Sequence, residues 1–249
     1  ANYFQHTLNI FRWTAGEEEM IHLAGRPKLI PISLGEGPQL TEEELDDWIM
    51  IEGAYHFHCT ASDGIPTPEE RVEEAIGYYL DFIIPSDHSY GLGTKDTFWG
   101  ALKMKDYAKS HYPDLVVIPG TEASQGFGHY NCFPVTTSDF NQTSVDAIVK
   151  ETHAQGGIVI YCHPTTSPYD TQQTLERMLN DDIDIDGIEI CNSGWEIGEG
   201  DIAAYKNLPF MGACDAHQPG HLWRVRDFLF VKENTQEEIV NAILNRRVV

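Results

Sequence analysis

Short apolar runs, polar loops and amphipathic stretches alternate along this chain from about residue 54 to its end. Residues 54–58, 82–85, 115–118, 158–162, 188–191 and 210–214 are compact runs rich in aliphatic and aromatic side chains, bounded by Pro, Gly, Ser or Asp, as buried strands are. Between them lie helix signals. Thr67-Pro68-Glu69-Glu70 supplies an N-cap, a proline at the first helical position and an acidic first turn, predicting a helix to about residue 80. Further helices are expected at 97–110, at 143–155 between Thr143 and the Gly156-Gly157 stop, at 171–180, and at 235–246 behind the Thr235/Glu238 capping box. Residues 129–135 and 227–231 complete the extended segments. Upstream, 7–13 and 28–34 have extended patterning and 41–51 that of a short helix, which together form an N-terminal extension over residues 1–52 ahead of one domain over 53–249. Strands alternating with helices over this length call for an α/β fold with a mainly parallel sheet, most simply a closed or nearly closed barrel.

Composition narrows the partners. The 249 residues carry a formal charge of -23, which argues against a nucleic-acid backbone or an anionic membrane as the principal partner and leaves a small-molecule substrate. Bound cations would reverse the sign of the field locally, so an anionic substrate remains compatible. No apolar run has the length of a membrane span, and the first residues lack the basic and apolar regions of a signal peptide. The five cysteines are odd in number and widely spaced, as free buried thiols would be, so a cytoplasmic, reducing location is expected, with a removed leader left open.

Chemistry concentrates where the predicted strands end. Between Gly53 and Gly64, His56 and His58 share one face of a strand by its period of two, and Asp63 follows in the turn. His88 follows the next strand, Glu122 the next, His129 leads the extended segment after it, His163 closes another, and Asp215 and His217 close the last before the tail. Each alone reads equally well as an ordinary polar residue. In a parallel barrel, however, strand ends gather on one rim, which is where barrel enzymes build their sites. His6, His22, His111 and His153 fall out of this phase and suit surface or capping positions. Cys59, Cys162 and Cys214 adjoin the candidate residues and should face away from them.

Taken in order, His56-Phe57-His58-Cys59-Thr60-Ala61-Ser62-Asp63-Gly64, Ser86-Asp87-His88, Pro119-Gly120-Thr121-Glu122, His129, His163-Pro164 and Asp215-Ala216-His217 resemble the motifs of the PHP (polymerase and histidinol phosphatase) superfamily, over about residues 53–246. His129-Tyr130-Asn131 and the preceding segment look more like its carbaryl-hydrolase-like branch. The resemblance implies a distorted (β/α)7 barrel with two or three divalent metal ions at the C-terminal rim. It implies that His56, His58, Glu122 and Asp215 hold the first ion, that Glu122 bridges to a second held by His129 and His163, and that Asp63, His88 and His217 complete a third site. Zinc, manganese and iron all suit mixed nitrogen and oxygen donors.

Such a centre would generate hydroxide from bound water at neutral pH and polarise the electrophile. The expectation is a metal-dependent phosphoesterase using a metal-bound hydroxide at a di- or trinuclear centre. Asp215 serves the centre and His217 or His221 donates the leaving-group proton. Lys95, Arg224 and Arg226 are candidate substrate contacts because each follows a rim motif, and Asn192 because it lies in a loop after a rim strand. Two alternatives stand: a metal-dependent hydrolase of carboxylic or carbamic esters or amides on the same fold, and a noncatalytic metal-binding protein.

Overall fold

The computed structural model describes residues 48–89, 96–164, 177, 180, 182–196 and 208–249. The expected strands at 7–13 and 28–34, residues 41–47 of the helix expected at 41–51, nearly all of that at 171–180, and His6, His22 and Lys95 lie outside them. The first described strand, β1 (Ile49–Tyr55), includes residues expected to end a helix. Its pairing decides the matter: β1 runs parallel to β2 (Phe82–Ile84) and antiparallel to β11 (Asp227–Val231), with Ile49 opposite Val231. Tertiary ladder bonds here override a local helix pattern.

A four-stranded sheet has the order β11-β1-β2-β4, with β4 at Val116–Val117. A seven-stranded sheet has the path β10-β8-β7-β6-β5-β3, with β9 (Trp195–Glu196) paired to β8. Its strands are β3 (His88–Ser89), β5 (Thr121–Gln125), β6 (Gly128–Phe133), β7 (Ile158–Tyr161), β8 (Gly187–Asn192) and β10 (Phe210–Ala213). The parallel pairs are those expected of strands joined through helices. Besides the antiparallel β8–β9 pair, β6 is antiparallel to β5, to which a two-residue hairpin joins it with Gln125 opposite Gly128, and to β7. Backbone bonds cross between the sheets: Cys214 N donates to Tyr55 O at 2.9 Å and His58 N to Ala216 O at 3.0 Å.

Among the described residues the helices are α1 (Pro68–Gly77), α2 (Trp99–His111), α3 (Val145–Ala154) and α4 (Gln236–Leu244). The N-cap expected at Thr67 is reciprocal, since Glu70 also accepts from Thr67 N, and Thr235 accepts from Glu238 N to open α4. Ser144, rather than Thr143, caps α3 by accepting from Ala147 N. Of the out-of-phase histidines, the two among the described residues lie at helix ends: His111 Nδ1 lies 3.0 Å from Tyr107 O, and His153 Nε2 lies 2.8 Å from Asp186.

Alternation within strands splits the core into layers. Phe82 and Ile84 pack with Tyr55, Ile118, Ile158, Ile160 and α4, whereas Ile83 packs with Val72, Ala75 and Met104 of α1 and α2. Val159 and Tyr161 turn instead toward Ile148 and Val149 of α3. Strands buried on both faces explain why the sequence shows continuous apolar runs rather than alternation. No helix among the described residues is long and apolar enough to cross a membrane.

Candidate metal centre

β1 ends at Tyr55, not at residue 58, and His56 turns the chain with φ at 59°. His163, two residues past β7, has φ at 27°, and Asp215, two residues past β10, has φ at 43°. Such conformations are unfavourable for side chains with a Cβ and persist where the surroundings over-determine them. Here three strand ends bend inward at the same level, and the consequence is convergence. His56 and His58, no longer related by strand periodicity, still face one another with ring centroids 5.4 Å apart.

All nine candidate ligands fall into overlapping groups whose donor atoms lie within 4.8 Å of one another. His56, His58 and Asp215 form one, His56, Glu122 and His163 a second, His88, Glu122 and His129 a third, and His58, Asp63, His88 and His217 a fourth. Glu122 is the hub. Its carboxylate oxygens lie 2.7 Å from His129 Nδ1, 2.6 Å from His88 Nδ1, 3.3 Å from His163 Nε2 and 3.6 Å from His56 Nε2. Asp215 Oδ1 stands 3.3 Å from His58 Nε2 and 3.6 Å from His56 Nε2. Across the mouth, Asp63 reaches His217 at 3.4 Å and His88 at 3.5 Å.

Whether these residues fit cations is tested by the nitrogens themselves. His56 Nε2 and both ring nitrogens of His58 are buried without a hydrogen-bond partner, and each points at carboxylate oxygens more than 3.2 Å away. Orphaned buried donors or acceptors cost about 1–3 kcal/mol each. Gaps of this size between imidazole and carboxylate suit a shared cation about 2.0–2.2 Å from each.

Electrostatics agree. Burial opposes ionisation of His56, but Glu189, Glu122 and Asp215 outweigh it and hold its pKa well above the usual histidine value. Burial likewise opposes Glu122, and the histidines around it, His56 foremost, hold its carboxyl well below its ordinary range. His88 is pushed up to about 10, against its burial, by Asp63 and Glu122. His58 shifts downward because burial dominates. Without cations, compensation rests on imidazolium–carboxylate contacts, with His58 inclined to remain a neutral donor.

The substrate-contact candidates are placed less favourably. Arg226 pairs with Glu52, four residues before the His56 turn, and covers the Tyr78 ring. Arg224 Nη2 meets His221 Nε2 at 3.0 Å at the surface. Asn192 is buried and donates to Glu189 at 3.1 Å rather than lining the mouth. Cys59 and Cys214 face away as expected, toward Asp87 and Val225 O. Cys162 does not: its sulfur groups with His56 and Glu189, because the chain bends between β7 and His163.

Two supporting residues escaped sequence reasoning. Arg71, wholly buried on α1, donates to His58 O at 2.9 Å, Ala216 O at 2.5 Å and Gln218 O at 3.1 Å, clasping the first and last motifs together. Its signal was an arginine at an inward position of an amphipathic helix. Glu189, an acid within the apolar β8, lies against His56 Nδ1 at 2.6 Å.

No family model and no curated protein matches the chain. Solved structures do. A two-domain protein from Bacteroides vulgatus ATCC 8482, containing a predicted PHP-like metal-dependent phosphoesterase, aligns with TM-score 0.67 and 24% identity over 82% of this chain and 65% of that one. The chain thus spans less than two thirds of that protein. A protein from Bifidobacterium adolescentis ATCC 15703, provisionally named a metal-dependent phosphoesterase, aligns with TM-score 0.54 and 17% identity over 78% and 96% of the two chains. An amidohydrolase from Chromobacterium violaceum, with bound sulfate and no metal, aligns with TM-score 0.53 and 14% identity over 68% and 88%. The fold of this chain is the one found in PHP-like metal-dependent phosphoesterases.

Proposed function

We propose that the protein is a metal-dependent phosphoesterase acting on a small phosphorylated molecule. It would do so at a di- or trinuclear centre, on a distorted (β/α)7 barrel over residues 53–249 whose two sheets meet through the Tyr55–Cys214 bond. The carrying observation is the set of nine side chains in overlapping groups with orphaned imidazole nitrogens between the carboxylates. Structural similarity to proteins described as phosphoesterases supports the reading.

His56, His58, Glu122 and Asp215 would hold an inner ion, Glu122 with His129 and His163 a second, and Asp63, His88 and His217 an outer one. Zinc, manganese and iron each match the donor set. Divalent ions bound there supply an acidified water and neutralise charge on the phosphoryl oxygens. The protein's part is positional. Glu122 sets the spacing between groups, and buried His56 and His58 exclude water beneath the substrate. In a dinuclear centre with the outer position unfilled, His217, a third exposed at the mouth with Nε2 next to Asp63, would be placed to donate a proton to the leaving oxygen; as a ligand of the outer ion it would not. His221 instead meets Arg224. The five free cysteines suit a reducing, cytoplasmic setting.

A second reading, hydrolysis of carboxylic or carbamic esters or amides, is favoured by the positions of the described cations. Arg71 is bound to backbone carbonyls, Lys103 to Glu69, Arg224 to His221 and Arg226 to Glu52. Phosphate charge would then rest on the metals. One experiment separates the readings: strip the protein with a chelator, refill with zinc, manganese or iron, and assay phosphate monoesters and diesters beside aryl esters and carbamates. Metal-dependent turnover of phosphate esters is expected. Turnover of the carbon esters alone overturns the phosphoesterase reading.

A further inference from the structure

Glu189 lies beneath the cluster and outside the proposed ligand set, and it is wholly buried. Its oxygens accept from His56 Nδ1 at 2.6 Å, the backbone N–H of His163 at 2.8 Å, Asn192 Nδ2 at 3.1 Å and Asn131 Nδ2 at 3.4 Å. Asn131 is itself anchored by donating to the Tyr55 hydroxyl at 2.8 Å. A buried carboxylate surrounded by donors in this way is fully satisfied, and its orientation leaves no freedom to the groups it holds.

Two of those groups belong to different metal-ligand sets. His56 would serve the first ion with His58, Glu122 and Asp215, and His163 the second with Glu122 and His129, while His56, Glu122 and His163 also form one donor group. Both sit on left-handed backbone, the conformation needing outside support. With Nδ1–H committed to Glu189, His56 presents Nε2, its orphaned nitrogen, toward Glu122 and Asp215. The His163 N–H bond fixes the turn that carries its ring to Glu122.

We propose that Glu189 is a positioning residue that sets the tautomer of His56 and the turn of His163 together, so that the two inner metal positions are assembled as one unit. The inference rests on the metal-centre reading above and adds to it a single carboxylate through which the two positions are coupled. Carboxylate partners of metal-bound histidines typically account for about 10–100-fold in metal affinity. Because Glu189 supports a ligand of each proposed inner position, and the two share a donor group with Glu122, its loss should weaken both inner ions in parallel and spare the outer group of Asp63, His88 and His217.

The test compares wild type with Glu189→Gln, which keeps shape and one acceptor oxygen, and with Glu189→Asp, which keeps the charge. Zinc affinity is measured by chelator competition, and the His56 Nδ1 proton is followed by nitrogen-15 NMR with and without zinc. In wild type that proton should be strongly deshielded and slow to exchange in both states. In Glu189→Gln it should move upfield, zinc affinity at both inner positions should fall about 10–100-fold, and Glu189→Asp should recover part of each. Thermal unfolding of the three proteins identifies any loss due to misfolding. Unchanged zinc affinity in a folded Glu189→Gln would overturn the inference while leaving the metal reading intact. If wild type binds no zinc, the metal reading fails, and an ordinary, rapidly exchanging Nδ1 proton in that protein would overturn the positioning role as well.

Discussion

Three buried carboxylates lie close together in sequence logic but apart in chemistry. Glu122 and Glu189 are wholly inaccessible, and Asp227, at the start of β11, is 2% exposed. Burial alone would push all three toward the neutral acid. Of the three only Asp227 goes that way, up to about 8, driven by burial and the Glu189 charge, since among the described residues its one hydrogen bond is from Gly212 N at 2.8 Å and its other oxygen has none. Glu122 and Glu189 shift downward because imidazoles, His56 foremost, surround them. Ionisation in this interior is decided by partners, and a carboxylate ringed by histidines is a site ready for cations.

Removing the charge from the hub should break that contrast most severely. Glu122→Gln leaves His56, His88, His129 and His163 facing a neutral amide. Zinc affinity, read by chelator competition, should fall by at least the roughly 100-fold seen when an outer-shell partner is lost, and turnover should fall with it. Full metal content in a folded Glu122→Gln would remove the hub from the scheme.

A milder change is expected at the mouth. Asp63 has a side chain 48% exposed, faces His58, His88 and His217, and accepts from Ser62 Oγ at 3.3 Å. Asp63→Asn should lower the affinity of the outermost ion by about 10-fold and leave the inner ions in place, so elemental analysis after mild chelation distinguishes it from Glu122→Gln. Equal loss at all positions would mean that inner and outer groups do not fill separately.

The division between what the sequence discloses and what it hides follows the range of the interactions. The convergence of the nine candidate residues was legible because most lie at or just past strand ends, which parallel strands place together; His129 instead opens the antiparallel β6 and reaches Glu122 from there. The mixed α/β class with parallel strand pairs was legible from the same beat. The extent of β1 and the β5–β6 hairpin were not, since ladder partners such as Val231 for Ile49 lie far along the chain. Glu189 and Arg71 stayed hidden for the same reason: an acid in an apolar strand and an arginine on an amphipathic helix acquire meaning only through His56, His58 and Ala216, up to 145 residues away. Cys162 was misplaced because strand periodicity stops one residue before it, at Tyr161.

Asp227 offers the smallest and cleanest test, because its contribution can be isolated by difference. Its unfolded pKa is about 3.9, and its folded value is about 8. Between those values the folded protein retains a proton that the unfolded chain has released. The associated stability is therefore fully present below pH ~4 and is lost as pH rises through 8. Asp227→Asn cannot ionise, keeps an acceptor for Gly212 N, and should not share this decline. The stability difference between variant and wild type, from urea unfolding, should grow in the variant's favour by about 1.4 kcal/mol per pH unit between roughly pH 5 and 8, then level off. All other titrating groups are common to both proteins and cancel. A difference independent of pH would mean that Asp227 is ionised throughout and has a partner like those of Glu122, erasing the contrast between the two kinds of buried acid.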